Sequence, residues 1–169
     1  MHPFQFPKIF SILWVEEAAQ SDYANWIAPI NMAGCYDIKI AEDTTQATEC
    51  VQREPFDVIL VDIRLPPGND PRWINIYNAS HSAKYTAQLG MAFIHSILGK
   101  KEPPVAISIP DGWVTAQKIG ILSVESESML KANMDLLDIH IFQQKSTRVS
   151  ETVLLELVQR ILKQQQPNY

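Results

Sequence analysis

Five residues in this chain could do chemistry together if the fold gathers them: the adjacent acids Glu16 and Glu17, the aspartate Asp62, the hydroxyl of Ser123 and the amine of Lys145. Each closes or closely follows an apolar run, where a side chain can reach out beyond the end of a strand. Three carboxylates in one crevice would repel one another by about 4 kcal/mol per close pair at a surface-like effective dielectric. A hard dication relieves that repulsion, and Mg²⁺ prefers carboxylates, carbonyls and retained waters. A metal so held could bridge Asp62 to an incoming phosphoryl group, whose transfer asks mainly for positioning and for neutralisation of oxygen charge. Lys145 would add a mobile cation, and Ser123 a hydrogen bond to a phosphoryl oxygen.

Taken singly, each residue has a plainer use. An aspartate ending a buried strand often only forms a turn. Glu16-Glu17 would be a charge pair in a first helical turn, and Lys145 a solvated surface lysine. Their shared place at the ends of separate apolar runs makes them a single expectation.

The elements that must position them can be followed along the chain. Ile9 to Val15 is nearly continuous in apolar character, as expected of a strand covered on both faces. Ser21 is placed to cap a helix bearing Tyr23, Trp26, Ile27 and Ile30, with Pro29 late in it as a kink and Gly34 at its end. Tyr36 to Ile40 reads as a second strand. Asp43-Thr44 opens a helix carrying Ala47, Cys50 and Val51 that stops before Pro55. Asp57-Val58-Ile59-Leu60-Val61-Asp62 is the strongest strand signal, followed by a turn over Leu65-Pro66-Pro67-Gly68.

Trp73, Tyr77, His81 and Tyr85 share one helical face. That stripe reads as the packing face of an inserted helix, with partner docking as the other use and a ligand or nucleic-acid stacking site as a weaker third. Met91, Phe93, Ile94, Ile97 and Leu98 form an amphipathic helix closed by Gly99. Lys118 to Val124 is the next strand, with Ser123 near its end. Ser126 caps a helix with Met129, Leu130, Met134 and Leu137, and Ile139 to Phe142 is the last strand, with Lys145 just beyond it. Ser150 caps a final helix whose pairs Val153/Leu154, Leu157/Val158 and Ile161/Leu162 make a clean core stripe, homodimer contact being its other use. The glutamines 164–166 read as a frayed tail.

Strands and helices thus alternate about five times, which predicts an α/β fold: a parallel sheet with helices on both faces and right-handed crossovers. In such sheets the active crevice lies outside the carboxyl ends of the strands, at the switch in strand order.

The chain has 169 residues, a net charge of −5 and 46% hydrophobic residues, the size of one domain over 1–169 with no room for an output domain. Its acidity argues against nucleic acid as a partner. No apolar run approaches bilayer length, and Met1 to Pro7 lacks a secretion signal's basic start and cleavage pattern. Cys35 and Cys50 are spaced neither as a metal knuckle nor as a redox pair and read as two buried thiols in a reducing compartment, so a cytoplasmic location is expected. His2, His81, His95 and His140 have no metal-ligand spacing.

On these residues the chain resembles the receiver (CheY-like) domain of bacterial response regulators in two-component systems. The likeness rests on Ile12 to Glu17, Asp57 to Asp62, Pro66 four residues after Asp62, Ile119 to Ser123, and Phe142 to Lys145. The intervals from Glu17 to Asp62 and from Ser123 to Lys145 are close to those that receivers keep. It covers nearly the whole chain apart from two inserts, roughly 69–88 and 101–117. The resemblance implies a flavodoxin-like, doubly wound five-stranded parallel sheet of order 2-1-3-4-5. It implies Asp62 as phosphoacceptor, with Glu16, Glu17, Asp62 and the main-chain carbonyl of Arg64 around Mg²⁺. Lys145 would pair with the phosphoryl oxygens, Ser123 would swing toward them and Phe142 would turn inward as the reporter. The partners implied are a histidine kinase or phosphotransfer protein and a downstream protein target.

Four positions depart from the family pattern. Glu-Glu stands where receivers favour at least one aspartate, Val124 where a small residue usually follows the hydroxyl, and Ser146 where proline usually follows the lysine. Arg64 and Glu125 flank the site and could pair across it. Two alternatives therefore stand beside a phosphorelay receiver. One is a pseudo-receiver, a protein-binding module that works without phosphate. The other is a small α/β hydrolase or phosphatase with Asp62 as nucleophile, against which Arg64 occupies the place of the second catalytic aspartate that such phosphatases use. Between Ser108 and Ser123 as the hydroxyl residue, the spacing to Lys145 favours Ser123.

Overall fold

The computed structural model describes residues 7–80 and 88–167. Five strands form one sheet: β1 (Phe10–Val15), β2 (Tyr36–Ala41), β3 (Val58–Val61), β4 (Ile119–Ser123) and β5 (Ile141–Gln144). Every pairing is parallel and the order is β2-β1-β3-β4-β5, the doubly wound topology expected. Six α-helices accompany them among the described residues: α1 (Ile27–Ala33), α2 (Thr44–Arg53), α3 (Pro71–Ala79), α4 (Leu89–Leu98), α5 (Glu127–Leu137) and α6 (Val153–Gln164).

The continuous apolar runs are explained by burial on both faces. Leu13 and Val15 of β1 pack with Ile59, Val61, Ile119 and Ile121 under α2, α4 and α5. Ile12 and Trp14 pack with Val58, Leu60 and Leu122 under α1 and α6. The α6 stripe is core, with Val153, Leu154, Leu157, Val158 and Ile161 all buried.

Several expectations change in detail. Residues 17–23 form turns, a short 3-10 helix covers Ala24–Trp26, and α1 begins only at Ile27. Pro29 therefore sits in the first turn of α1, where its missing N–H has no carbonyl to serve and no kink results. Ser21 caps nothing; its hydroxyl donates back to the Ala18 carbonyl. The glutamine tail is tied down: Gln164 Nε2 donates to the Gln117 carbonyl at 2.7 Å and Gln165 Nε2 to the Asp57 carbonyl at 2.9 Å. Cys35 and Cys50 are free and half-buried rather than buried.

The two inserts add to the α2–α4 side. Within 69–88, α3 is capped by Asp70, whose carboxylate accepts from Arg72 N at 2.9 Å. Trp73 is fully buried and its indole donates to Thr48 Oγ1 at 3.0 Å, while Tyr77 on the same expected stripe is exposed. His81 and Tyr85 lie outside the described residues. Within 101–117, Val105 is buried and Ile107, Ile109 and Val114 pack on the same core. Residues 105–109 join no strand, so Ser123, not Ser108, ends β4.

Candidate functional site

Because the sheet is parallel, Glu16, Asp62, Ser123 and Lys145 all stand at one rim, each at or just past the end of its strand. β1 and β3 are neighbours although β2 lies between them in sequence, so Glu16 and Asp62 flank the switch in strand order. All four residues are buried.

Lys145 joins the two acids. Its Nζ donates to Asp62 Oδ2 at 3.0 Å and also to Glu16 Oε2. The second oxygen of each acid is held by a backbone amide: Ala18 N to Glu16 Oε1 at 3.1 Å, and Arg64 N to Asp62 Oδ1 at 3.3 Å. The lysine's backbone amide donates to the Ser123 carbonyl at 2.7 Å, which fixes the end of β5 beside that of β4. The Ser123 hydroxyl accepts from Glu125 N at 3.3 Å. Phe142 is half-buried and packs on the α2–α4–α5 core.

Glu17 is where the sequence reading fails. Its side chain is exposed, in the turn after β1, so two carboxylates converge instead of three. Among the described residues no three Asp, Glu, His or Cys side chains are grouped to hold a metal ion. The physical reason is local: adjacent residues leaving a strand point to opposite sides, and Glu16 takes the inward one.

The charges are unequal. Two buried carboxylates face one ammonium, a surplus of one negative charge. Burial raises the Glu16 carboxyl above its ordinary value, and the charge of Asp62 raises it further against the opposing pull of Lys145. For Lys145, burial lowers the pKa, but the charges of Asp62 and Glu16 outweigh it, so the amine stays protonated more firmly than usual. Oxygen donors with surplus negative charge fit Mg²⁺, which commonly binds through one or two carboxylates plus waters and substrate phosphates. They do not make an all-protein cage.

The mouth of the crevice carries a further ion pair. Arg64 Nε lies 2.6 Å from Glu125 Oε1, the arginine side chain 55% exposed and the glutamate 8%. This is the pairing that the sequence suggested. It ties the loop after β3 to the loop after β4.

Three supports were not legible beforehand. Thr44 Oγ1 and Thr45 Oγ1 donate to the Pro67 carbonyl at 3.0 and 2.7 Å, so the start of α2 clamps the loop that follows Asp62. Gly68 in that loop has φ +71°, and a Cβ there would stand 2.5 Å from Asp43 Oδ1. Gly90 of α4 donates from its N to the Ile63 carbonyl at 3.0 Å, and a Cβ would fall 1.9 Å from the Asp62 carbonyl oxygen. The third support is Tyr23, whose ring centroid lies 4.6 Å from Lys145 Nζ. The available signal was an aromatic shortly after the strand end that holds Glu16, but its spacing with Trp26, Ile27 and Ile30 points only to a helix.

No family model matches the chain, and no curated protein matches it. Solved structures do match. The non-phosphorylated HemR receiver domain from Leptospira biflexa is 16% identical with a TM-score of 0.59, the match covering 94% of this chain and 98% of that one. Vibrio cholerae chemotaxis protein CheY4 is 18% identical with a TM-score of 0.58, covering 91% and 99%. The receiver domain of sensor histidine kinase PA1611 from Pseudomonas aeruginosa, described with a magnesium ion coordinated in its active-site cleft, is 16% identical with a TM-score of 0.50, covering 92% and 98%. The fold is that of CheY-like response-regulator receiver domains.

Proposed function

We propose, with the receiver fold as premise, that this chain acts as a response-regulator receiver domain. In this reading Asp62 accepts a phosphoryl group from a histidine kinase or phosphotransfer protein, and the modified domain signals by docking to a downstream protein. The contact from Lys145 Nζ to Asp62 Oδ2, 3.0 Å at the switch point of the sheet, carries the reading.

An Asp62 carboxylate oxygen attacks phosphorus, the bond from phosphorus to the donor's imidazole nitrogen breaks, and its electron pair stays on that nitrogen. The product is an acyl phosphate, which water later returns to carboxylate and inorganic phosphate. Lys145, held protonated, is placed to follow the oxygen charge from carboxylate to phosphoryl group. The Ser123 hydroxyl, bonded only loosely to Glu125 N at 3.3 Å, is free to turn toward a phosphoryl oxygen. Glu16, Asp62 and the Arg64 carbonyl would hold Mg²⁺, which supplies further neutralisation of phosphoryl charge. Such a domain transfers to itself rather than turning over a substrate, so it is a signalling protein, not an enzyme. We place it in the cytoplasm, where such donors act; among the described residues no helix is long and apolar enough to cross a membrane.

Incubation with acetyl phosphate and Mg²⁺ followed by intact mass tests this. The expected result is the mass gain of one phosphoryl group, absent in Asp62→Asn; no gain from acetyl phosphate or a phosphohistidine donor overturns it.

The exposure of Glu17 and the engagement of Lys145 by Glu16 favour a second reading, a pseudo-receiver that binds proteins without phosphate. Mg²⁺ titration separates them, since a phosphate-independent site has no need of the ion at millimolar concentration.

A further inference from the structure

We infer that Tyr23 is a positioning residue for Lys145, its ring face holding the ammonium against the Glu16–Asp62 pair; its effect on phosphoryl transfer rests on the reading of Asp62 as acceptor. The ammonium is boxed on three sides. Two are the carboxylates, and the third is the Tyr23 ring, whose centroid is 4.6 Å from Nζ. That is well inside the range of about 6 Å within which a ring quadrupole attracts a cation, and burial strengthens the attraction.

The ring is itself held. Trp26 stacks on it with centroids 4.4 Å apart and an interplanar angle of 27°. Trp26 is only 7% exposed and belongs to the α1–α6 core, so the stack is anchored from behind. The backbone is fixed as well: Tyr23 N donates to the Ala18 carbonyl at 3.2 Å, while Ala18 N holds Glu16 Oε1. One turn, residues 16–23, therefore carries both a carboxylate and the ring that meet the same ammonium.

Beside this contact lies a cavity of about 310 Å³ lined by Tyr23, Trp26, Val124, Lys145, Ser146 and Thr147. It is the open side of the site, toward which an unrestrained lysine would swing into water. A four-carbon stem with free rotors needs such a wall if its charge is to stay on Asp62. Ser146, next after Lys145, has no ring to fix the backbone there, which leaves more of the positioning to side chains.

The test compares Tyr23→Leu, which keeps bulk without a π face, with Tyr23→Phe, which keeps the face without the hydroxyl. Proton NMR of the unmodified protein, with the Lys145 signal assigned by its loss in Lys145→Arg, should show its ε-methylene shifted upfield by the ring current. Tyr23→Phe should retain the shift and Tyr23→Leu abolish it. Labelling by acetyl phosphate with Mg²⁺ should be about three- to tenfold slower in Tyr23→Leu and restored in Tyr23→Phe. An unshifted methylene in the unmodified protein overturns the proposal even if the leucine variant fails to fold. So does a leucine variant that labels at the full rate, or a phenylalanine variant as slow as leucine. If the unmodified protein takes no label, the phosphoacceptor reading fails, and the ring-current comparison alone upholds or overturns the positioning.

Discussion

Asp57 shows how this chain spends its charges away from the crevice. It stands at the amino end of β3, where its carboxylate accepts from Ser11 N at 2.9 Å, Ser11 Oγ at 3.3 Å and Lys8 Nζ at 3.0 Å. Burial tends to raise its pKa, but the amide bond from Ser11 and the ammonium of Lys8 outweigh burial and leave it below the ordinary 3.8. A folded pKa below the unfolded one means that stability from Asp57 is present above pH 3.8 and is lost as the pH falls through the lower folded value. Urea denaturation should show Asp57→Ala about 1.5–3 kcal/mol less stable than the parent near neutral pH, the gap closing in strong acid. The residues of the crevice were legible from their types at the ends of apolar runs, which is why Glu16, Asp62, Ser123 and Lys145 could be named together. Glu17 was not, because a pair of identical acids carries no sign of which one faces inward. Tyr23 was not, because an aromatic at helical spacing looks the same whether it packs on carbon or on an ammonium.

Among the elements, the loop that follows Asp62 is fixed from two directions, by the threonines of α2 and by Gly90 of α4. Glycine to alanine inside a helix ordinarily stabilises by about 1 kcal/mol. At Gly90 the added Cβ would lie 1.9 Å from a backbone carbonyl that cannot rotate away. Overpacking of that kind costs about 1–3 kcal/mol or more, so the clash wins. Gly90→Ala should lower the unfolding midpoint and, through the Asp62 backbone, slow acetyl phosphate labelling, as intact mass over time would show. Strand and helix order, the α6 stripe and the Asp43 cap were all legible from periodicity and capping chemistry. The flank of α2 was not. Thr44, Thr45 and Thr48 carry no apolar signal, yet all three are buried, because the Pro66 and Pro67 carbonyls and the Trp73 indole take up their hydroxyls.

For the molecule as a whole, a five-stranded sheet with two independent packing faces predicts a graded stability. β1 and β3 are paired on both edges and covered on both faces, whereas β2 and β5, among the described residues, stand at the two edges of the sheet. Native-state hydrogen exchange should find the slowest amides in Ile12 to Val15 and Ile59 to Val61, with β5 exchanging faster. The topology followed from the alternation of runs; the seating of the inserts did not, since nothing in a polar, aromatic stretch says which helix it will lie against. Arg72 Nη1 reaches the Ala106 carbonyl at 3.2 Å and Gln52 Nε2 the Ser108 carbonyl at 3.3 Å, so both inserts are moored to each other and to α2. In the reading as a signalling domain, a visiting protein would meet this side of the molecule as α3 and residues 105–109 rather than as bare α2 and α4, with Met129 and Leu136 of α5 still open to it.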